Sequence, residues 1–122
     1  MKGYHYLPKF PSGTKQAIKS FDRIFHKLHN RVVRITGTFD NKSWYRVKFY
    51  TEDGQVYDFK GFAWWYGGEG PRGLAVCLRK LGICESIIEK LTDHSCKLQG
   101  DTYNPNSFFI NIERNQLEEV SA

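Results

Sequence analysis

The segment with the clearest chemical potential is Trp64–Ala75, which reads WWYGGEGPRGLA. Its glycines permit positive φ angles and the close approach of a ligand or of another backbone. Pro71 is typical of the first turn of a helix, and the N–H groups and dipole at a helix N-terminus bind anions. The spacing therefore predicts a rigid strand-to-helix turn that belongs to a site for a phosphate-bearing or otherwise anionic partner.

Each residue type in this turn suits a role in such a site. Arg72 can make a bidentate contact with phosphate or carboxylate, and the adjacent aromatic residues can stack on a base or ring. Glu69 can act as a base or orient a ligand hydroxyl, or it can simply cap the following helix. The predicted ligand-binding residues of the turn are Trp64, Trp65, Tyr66, Gly67, Gly68, Glu69, Gly70 and Arg72.

The alternative is a structural elbow, in which the glycines let the chain turn sharply and Trp64 or Trp65 fills the core. The turn is not a Walker A loop, because no Gly-Lys-Ser/Thr sequence follows it. It also lacks the glycine spacing and the βαβ setting of a dinucleotide fingerprint. The two interpretations, anion site and elbow, therefore both stay open.

A second set of candidates lies on a predicted sheet. Alternation over Trp44–Thr51 and Gln55–Phe62 places basic and aromatic side chains on one face. Such a face suits nucleotides or nucleic acid, although a solvated polar face is the ordinary outcome for an antiparallel sheet. The predicted site residues here are Trp44, Arg46, Lys48 and Lys60, with Arg34 and Tyr50 beside them.

No set of residues has the arrangement of a catalytic or metal centre. His26 and His29 are three residues apart on one predicted helix, without a third ligand. A zinc site from Cys84, His94 and Cys96 is conceivable, but its spacing matches no familiar zinc finger. Cys77 falls in an apolar helical stretch, where a buried inert thiol is usual. We therefore expect no catalytic residue, no metal, no cofactor and no enzymatic activity.

The surrounding pattern predicts an α+β fold in a single domain of 122 residues. Residues 1–11 form an extended arm, either an edge strand or a segment that reaches a neighbouring subunit of a homo-oligomer. A helix capped by Ser12 or Thr14 then runs to about Asn30. An antiparallel sheet of three to five strands consists of a meander over 31–62 and a C-terminal strand over 107–114. Two helices follow the glycine turn, a loop covers 97–106, and 115–122 is a loose tail.

Composition narrows the class of partner. The net charge of +5 favours anionic partners and argues against a protein that mimics DNA. An odd number of cysteines, without a secretory signal or a long apolar run, predicts a reducing cytoplasm and no membrane partner.

The turn also resembles a motif of a family of small phage and bacterial proteins. The family pattern is an aromatic residue, Gly-Tyr-Gly-Gly, any residue, Gly-Pro, two variable residues and Leu-Ala. The matching residues are Phe62, Trp64, Tyr66, Gly67, Gly68, Gly70, Pro71, Leu74 and Ala75. Trp65 departs from the pattern, which has glycine there, and the resemblance covers only residues 62–75.

This resemblance implies a phage or mobile-element setting in a bacterial host, where small proteins often disable a host factor or sequester a host signal. The leading hypothesis is accordingly a counter-defence protein that sequesters a nucleotide-like or other anionic small molecule at the glycine turn. The alternative is an inhibitor that binds a host defence protein or nucleoprotein complex through aromatic and basic residues. Direct nucleic-acid binding and nucleotide processing are further possibilities.

Overall fold

The computed structural model describes residues 3–7, 13–93, 100–101, 104–112 and 116–120. The helices are α1 (Thr14–Leu28), α2 (Glu69–Lys80) and α3 (Glu85–Thr92). The strands are β1 (Tyr4–Leu7), β2 (Val32–Asp40), β3 (Trp44–Thr51), β4 (Val56–Lys60), β5 (Gly100–Asp101), β6 (Asn104–Pro105), β7 (Ser107–Asn111) and β8 (Gln116–Val120). The α+β class is confirmed.

The main sheet is mixed rather than purely antiparallel as predicted. Over the described residues it has six strands in the order β1-β4-β3-β2-β7-β8. Strand β1 pairs in parallel with β4, while the other neighbouring pairs are antiparallel. The parallel pair arises because α1 carries the chain from one edge of the sheet towards its centre before the meander begins. Within the predicted N-terminal arm, Tyr4–Leu7 is thus an edge strand that pairs within its own chain, and residues 1–2 and 8–11 lie outside the described residues.

The meander over β2, β3 and β4 is confirmed, with bounds close to those predicted. The β2–β3 turn is held by Asp40, whose Oδ1 accepts hydrogen bonds from the backbone N–H groups of Lys42 at 2.8 Å and Ser43 at 2.5 Å. Gly54 and Gly82 have positive φ, at the β3–β4 turn and after α2 respectively. These turn and stop signals were readable from the sequence because they are local.

The C-terminal part contains more strand than predicted. The stretch 115–122, expected to be a loose tail, includes β8, which pairs with β7 from Gln116 to Val120. The expected loop over 97–106 includes the short hairpin of β5 and β6; its residues 97–99, 102 and 103 lie outside the described residues. Strand β7 pairs with β2 and ends at Asn111 rather than at Arg114.

The core lies between the three helices and one face of the sheet, here called the inner face. Buried side chains from α1 meet buried aromatic and aliphatic residues that alternate along β2, β3, β4 and β7. Their fully buried members include Phe21, Leu28, Ile35, Val47, Phe49, Phe59, Leu74, Leu78, Ile88, Phe108 and Ile110. In the part of the chain that the structure describes, the opposite or outer face of the sheet carries no helix.

The start of α1 differs from the predicted cap. Gly13 is the N-cap residue, and Ser12 lies outside the described residues. The hydroxyl of Thr14 donates to the carbonyl oxygen of Gly61 at 2.7 Å. This bond connects the start of α1 to the segment that follows β4. Among the described helices, none is both long enough and apolar enough to cross a membrane.

Candidate functional site

The glycine turn is part of a longer link between a strand and a helix. Strand β4 ends at Lys60, residues 61–68 form the link, and α2 begins at Glu69. The prediction that this segment connects a strand to a helix is therefore correct. In the first turn of α2, Pro71 has no N–H and the Arg72 N–H donates to the Gly68 carbonyl oxygen at 3.2 Å. The N–H groups of Glu69 and Gly70 are those left without a partner inside the helix.

The expectation of left-handed glycines in the turn is wrong. Gly67, Gly68 and Gly70 do not have a left-handed backbone, and Gly68 is extended with φ 177°. The residue of this link with a left-handed backbone, besides Gly61, is Trp65 at φ 62°. Gly70 is needed for a different reason. A Cβ atom there would lie 2.8 Å from Ala63 Cβ and 3.1 Å from the Tyr66 hydroxyl. Glycine at this position thus lets α2 approach the link closely.

The two tryptophans of the turn belong to the core. Trp64 is fully buried, its Nε1–H donates to the Asn106 carbonyl oxygen at 3.0 Å, and its ring meets Phe108 edge-on at 4.8 Å. Trp65 is 3% exposed. Neither ring is available to stack on a ligand, so this part of the predicted site is corrected. For these two residues the alternative of a structural elbow, in which the tryptophans fill the core, agrees with the structure.

An open cleft does lie beside the turn. It has a volume of about 500 Å³ and is here called the glycine-turn cleft. Its lining comes from the start of α1, the start of β3, the end of β4, the link and the first turn of α2. The lining residues are Gly13, Thr14, Trp44, Tyr45, Lys60, Gly61, Phe62, Ala63, Tyr66, Glu69 and Gly70. Five of the predicted site residues, Trp44, Lys60, Tyr66, Glu69 and Gly70, thus come together.

Aromatic rings with exposed surface form the mouth of this cleft. Trp44 is 63% exposed and Tyr66 is 40% exposed. The Tyr45 ring has its centroid 6.1 Å from that of Tyr66. Burial raises the pKa values of Tyr45 and Tyr66, so both hydroxyls remain protonated at neutral pH and can donate hydrogen bonds.

Trp44 has an unusual backbone. It follows the three-residue turn 41–43, pairs with Asp40 and has φ 60°. A left-handed residue at the end of a short hairpin turn is ordinarily glycine, because a Cβ atom is crowded in that conformation. Because Trp44 is largely exposed, burial of its ring offsets little of the backbone strain. Strain that folding does not explain is typical of a binding residue.

Arg46 and Lys48 lie outside the glycine-turn cleft, on the outer face of the sheet. Arg46 forms a bidentate ion pair with the fully buried carboxylate of Asp58, with Nε donating to Oδ1 at 3.0 Å and the second bond to Oδ2. The Tyr4 hydroxyl donates to the same Oδ2 atom. Burial, followed by the bond to Asp58, raises the pKa of Tyr4 to about 12. The charge of Arg46 is therefore largely compensated within the protein.

The remaining candidates of the turn are separate from the cleft. Arg72 is exposed on α2 and does not line it, and Gly67 and Gly68 flank it without lining it. Arg72, Trp65 and Lys48 thus do not converge on one pocket. Sequence reasoning missed Thr14, Gly61 and Tyr45 as lining residues. The first two line the cleft because α1 contacts the link, and this contact joins residues far apart in the sequence. Tyr45 follows Trp44 on β3 and belongs to the inner face.

No metal centre is assembled by the residues that the structure describes, since they contain no group of three His, Cys, Asp or Glu side chains placed to bind an ion. His94 and Cys96 of the conceivable zinc set lie outside the described residues. Cys77 is fully buried as expected, and burial raises the pKa of its thiol to about 12. Its thiol is therefore protonated and unreactive at neutral pH.

The chain matches no protein-family model, no curated protein sequence and no solved structure. Its function must consequently be argued from the geometry of the site itself.

Proposed function

We propose that this protein binds a nucleotide-like anionic small molecule in the glycine-turn cleft and acts by sequestering it, without catalysing a reaction. The observation that carries the proposal is the convergence of exposed Trp44, the cationic residue Lys60 and the first turn of α2 on one cleft. A volume of about 500 Å³ is in the range of small-molecule sites.

Each part of the proposed ligand has a chemically suitable group in the lining of the cleft. A base or other planar ring stacks on Trp44 or Tyr66, since both rings are exposed. A phosphate lies towards Lys60 and the first N–H groups of α2, where the helix dipole is positive. Glu69 repels a phosphate at close range and instead accepts hydrogen bonds from ligand hydroxyls. This arrangement favours a sugar-containing anion over inorganic phosphate.

The resemblance of residues 62–75 to a phage and bacterial family suggests the setting. In the cytoplasm of a bacterial host, a protein that sequesters a signalling nucleotide would act as a counter-defence factor. A host protein as the target is the second candidate, and the exposure of Trp44 at a turn favours it, because exposed aromatics are typical anchors of protein interfaces.

The test is a thermal-shift and calorimetric screen of mononucleotides, dinucleotides and cyclic nucleotides at low salt. A ligand at one hundred times its Kd stabilises the fold by about 2.7 kcal/mol, which corresponds to a rise of several degrees in Tm. We expect Lys60→Gln to weaken binding about tenfold or more, since it removes the only cationic side chain among the described lining residues of the cleft.

Two control variants make the result specific. Lys27→Gln removes an equal charge from the exposed side of α1, away from the cleft, and should leave binding unchanged. Arg72→Ala should also leave it unchanged, because Arg72 does not line the cleft. The proposal is wrong if no nucleotide shifts the Tm, and a stoichiometric complex with a host protein would then favour the second candidate.

A further inference from the structure

The outer face of the sheet is a continuous surface of aromatic and basic side chains. Along β3, Arg46, Lys48 and Tyr50 alternate with the buried residues of the inner face. Trp44, whose φ of 60° breaks the alternation, lies at the beginning of the strand in the glycine-turn cleft. The register of β1 on β4 adds Tyr4 and Tyr6 to the same face, and that of β7 on β2 adds Phe109. Within the described residues this face is free of helices.

The cationic groups on this face lie against aromatic rings. The guanidinium carbon of Arg34 is 4.1 Å from the centroid of Tyr50 and 5.8 Å from that of Phe109. The guanidinium carbon of Arg46 is 4.7 Å from Tyr6, and Lys48 Nζ is 6.0 Å from Tyr4. Rings and planar cations held in this way present flat surfaces for stacking beside positive charge.

The balance of charge on the face is positive. Asp58 is fully buried beneath Tyr4 and Arg46, and its ion pair with Arg46 neutralises both groups. Arg34, Lys48 and Lys60 remain to interact with a partner, against two carboxylates, Asp40 beside Trp44 and Glu52 at the other end of β3. A row of separate positive charges is complementary to a chain of phosphates rather than to one phosphate.

This face also connects two clefts. The glycine-turn cleft contains Trp44 at the beginning of β3. A second cleft, of about 550 Å³, contains Arg34, Tyr50, Gln55, Phe109 and Asn111 at the end of β3. Tyr50 is six positions after Trp44 along the strand, a distance of about 20 Å at about 3.3 Å per residue. A mononucleotide fills one cleft, whereas an oligonucleotide can reach both.

We infer that the outer face binds a single-stranded oligonucleotide that runs along β3 from the glycine-turn cleft to the second cleft. The inference rests on the proposed function and extends it, because it makes the nucleotide in the first cleft one unit of a longer ligand. Bases stack on Trp44 and on the Arg34–Tyr50 pair, and phosphates lie near Lys48 and Lys60. The length required is roughly four nucleotides, the lower limit for comparable aromatic and basic surfaces.

The test measures the affinity of fluorescently labelled oligothymidylates of one to eight nucleotides by anisotropy at low salt. We expect affinity to rise by at least about tenfold from one to four nucleotides, with a smaller rise thereafter. A duplex of equal length should bind at least about tenfold more weakly, because its bases are not available for stacking. Equal affinity for all lengths, or equal affinity for the duplex, would overturn the inference.

Variants at the two ends separate this inference from the proposed function. Arg34→Gln, at the far cleft, should weaken binding of the eight-nucleotide ligand about tenfold and leave mononucleotide binding unchanged. Arg34→Lys keeps the charge but not the planar group, and it should lose a substantial part of that affinity. Arg23→Gln is the matched control, since Arg23 is exposed on α1. The Tm of each variant confirms that the fold is intact.

The failures are distinguishable. If mononucleotides bind and neither length nor Arg34 matters, the inference is wrong and the proposed function stands. If eight nucleotides bind through Arg34 while no mononucleotide binds and Lys60→Gln has no effect, the proposed function is wrong. That outcome also overturns the inference, because the oligonucleotide then does not occupy the glycine-turn cleft.

Discussion

At the scale of single residues, Trp44 combines backbone strain, exposure and a position in the glycine-turn cleft. A left-handed conformation costs a residue with a Cβ atom about 1–2 kcal/mol. Its main aromatic neighbour is Phe39, edge-on at a centroid distance of 6.5 Å, which returns only part of this cost. A side chain that costs stability and remains exposed is better explained by binding than by folding.

The Trp44→Gly variant should therefore separate folding from function. Glycine adopts positive φ freely, so relief of strain offsets the lost ring contact and the extra entropy of the unfolded chain. We expect the free energy of unfolding to change by less than about 1 kcal/mol, measured by urea denaturation, while nucleotide affinity falls about tenfold. Trp64→Ala is the contrasting variant, with an expected loss of about 3–5 kcal/mol because Trp64 is fully buried. A comparable loss at Trp44 would show that the indole is a folding residue.

Tyr4 is a residue whose contribution depends on pH. Its hydroxyl donates to the buried carboxylate of Asp58, and Tyr4→Phe should cost about 1 kcal/mol at pH 7. Burial and Asp58 raise the pKa of Tyr4 from 10.0 to about 12, so the folded state holds the proton more tightly than the unfolded state. The stabilisation is complete below pH 10 and is lost as the pH rises towards 12. In urea titrations between pH 7 and 11, the free energy of unfolding of the wild type should fall towards that of Tyr4→Phe as the pH rises. A difference between the two proteins that does not change with pH would contradict the assigned bond.

At the scale of elements, close contact between helices fixes the position of the link and hence of the cleft. Gly73 of α2 faces the start of α1, where a Cβ atom would lie 2.1 Å from Thr14 Cγ2 and 3.3 Å from Ile18 Cδ1. The same Thr14 side chain holds Gly61 through its hydroxyl. Glycine therefore lets the two helices and the link meet at one point.

The Gly73→Ala variant tests this contact. Alanine favours a helix by about 1 kcal/mol over glycine, so an uncrowded position would be stabilised. At Gly73 the clash should reverse the sign and destabilise the protein by about 1–3 kcal/mol, measured by chemical denaturation. Gly67→Ala is the control, because a Cβ atom there meets no neighbour within 4 Å and the backbone is not left-handed. Stabilisation by Gly73→Ala would show that α2 does not pack so closely on α1.

The elements themselves were largely predictable, because their signals are local. Alternation predicted β3 at Trp44–Thr51, and apolar periodicity predicted the inward face of α1. The parallel pairing of β1 with β4 was not predictable, because it depends on how α1 crosses the sheet. Strand β8 was missed since its segment is polar, and its pairing with β7 is decided by the neighbouring strand.

The candidate site was predictable only in part, for the same reason. Trp44, Lys60 and Tyr66 were identified by residue type, and they line the cleft. Residue type also predicted Trp64 and Trp65 as ligand-binding residues, but their rings lie in the core. A glycine-rich sequence indicates that a chain turns closely, but it does not say whether the adjacent aromatic rings face inwards or outwards. Only tertiary packing decides that.

At the scale of the whole molecule, the distribution of charge gives the remaining prediction. The net charge of +5 is an average, whereas a phosphate chain responds to the cations that it actually contacts. On the outer face these are Arg34, Lys48 and Lys60, since Arg46 is paired with Asp58. Three contacts with a single strand correspond to a slope of roughly −2 in a plot of log K against log salt concentration.

This slope can be measured with an eight-nucleotide ligand between about 50 and 200 mM salt, and Lys48→Gln should make it shallower by about 0.7. Lys27→Gln, on the helical side, should leave it unchanged even though it lowers the net charge equally. If the two variants have the same effect, attraction depends on net charge alone, and the outer face has no special role. If only Lys48→Gln matters, the positive charge acts where the register of the sheet places it, along β3 between the two clefts.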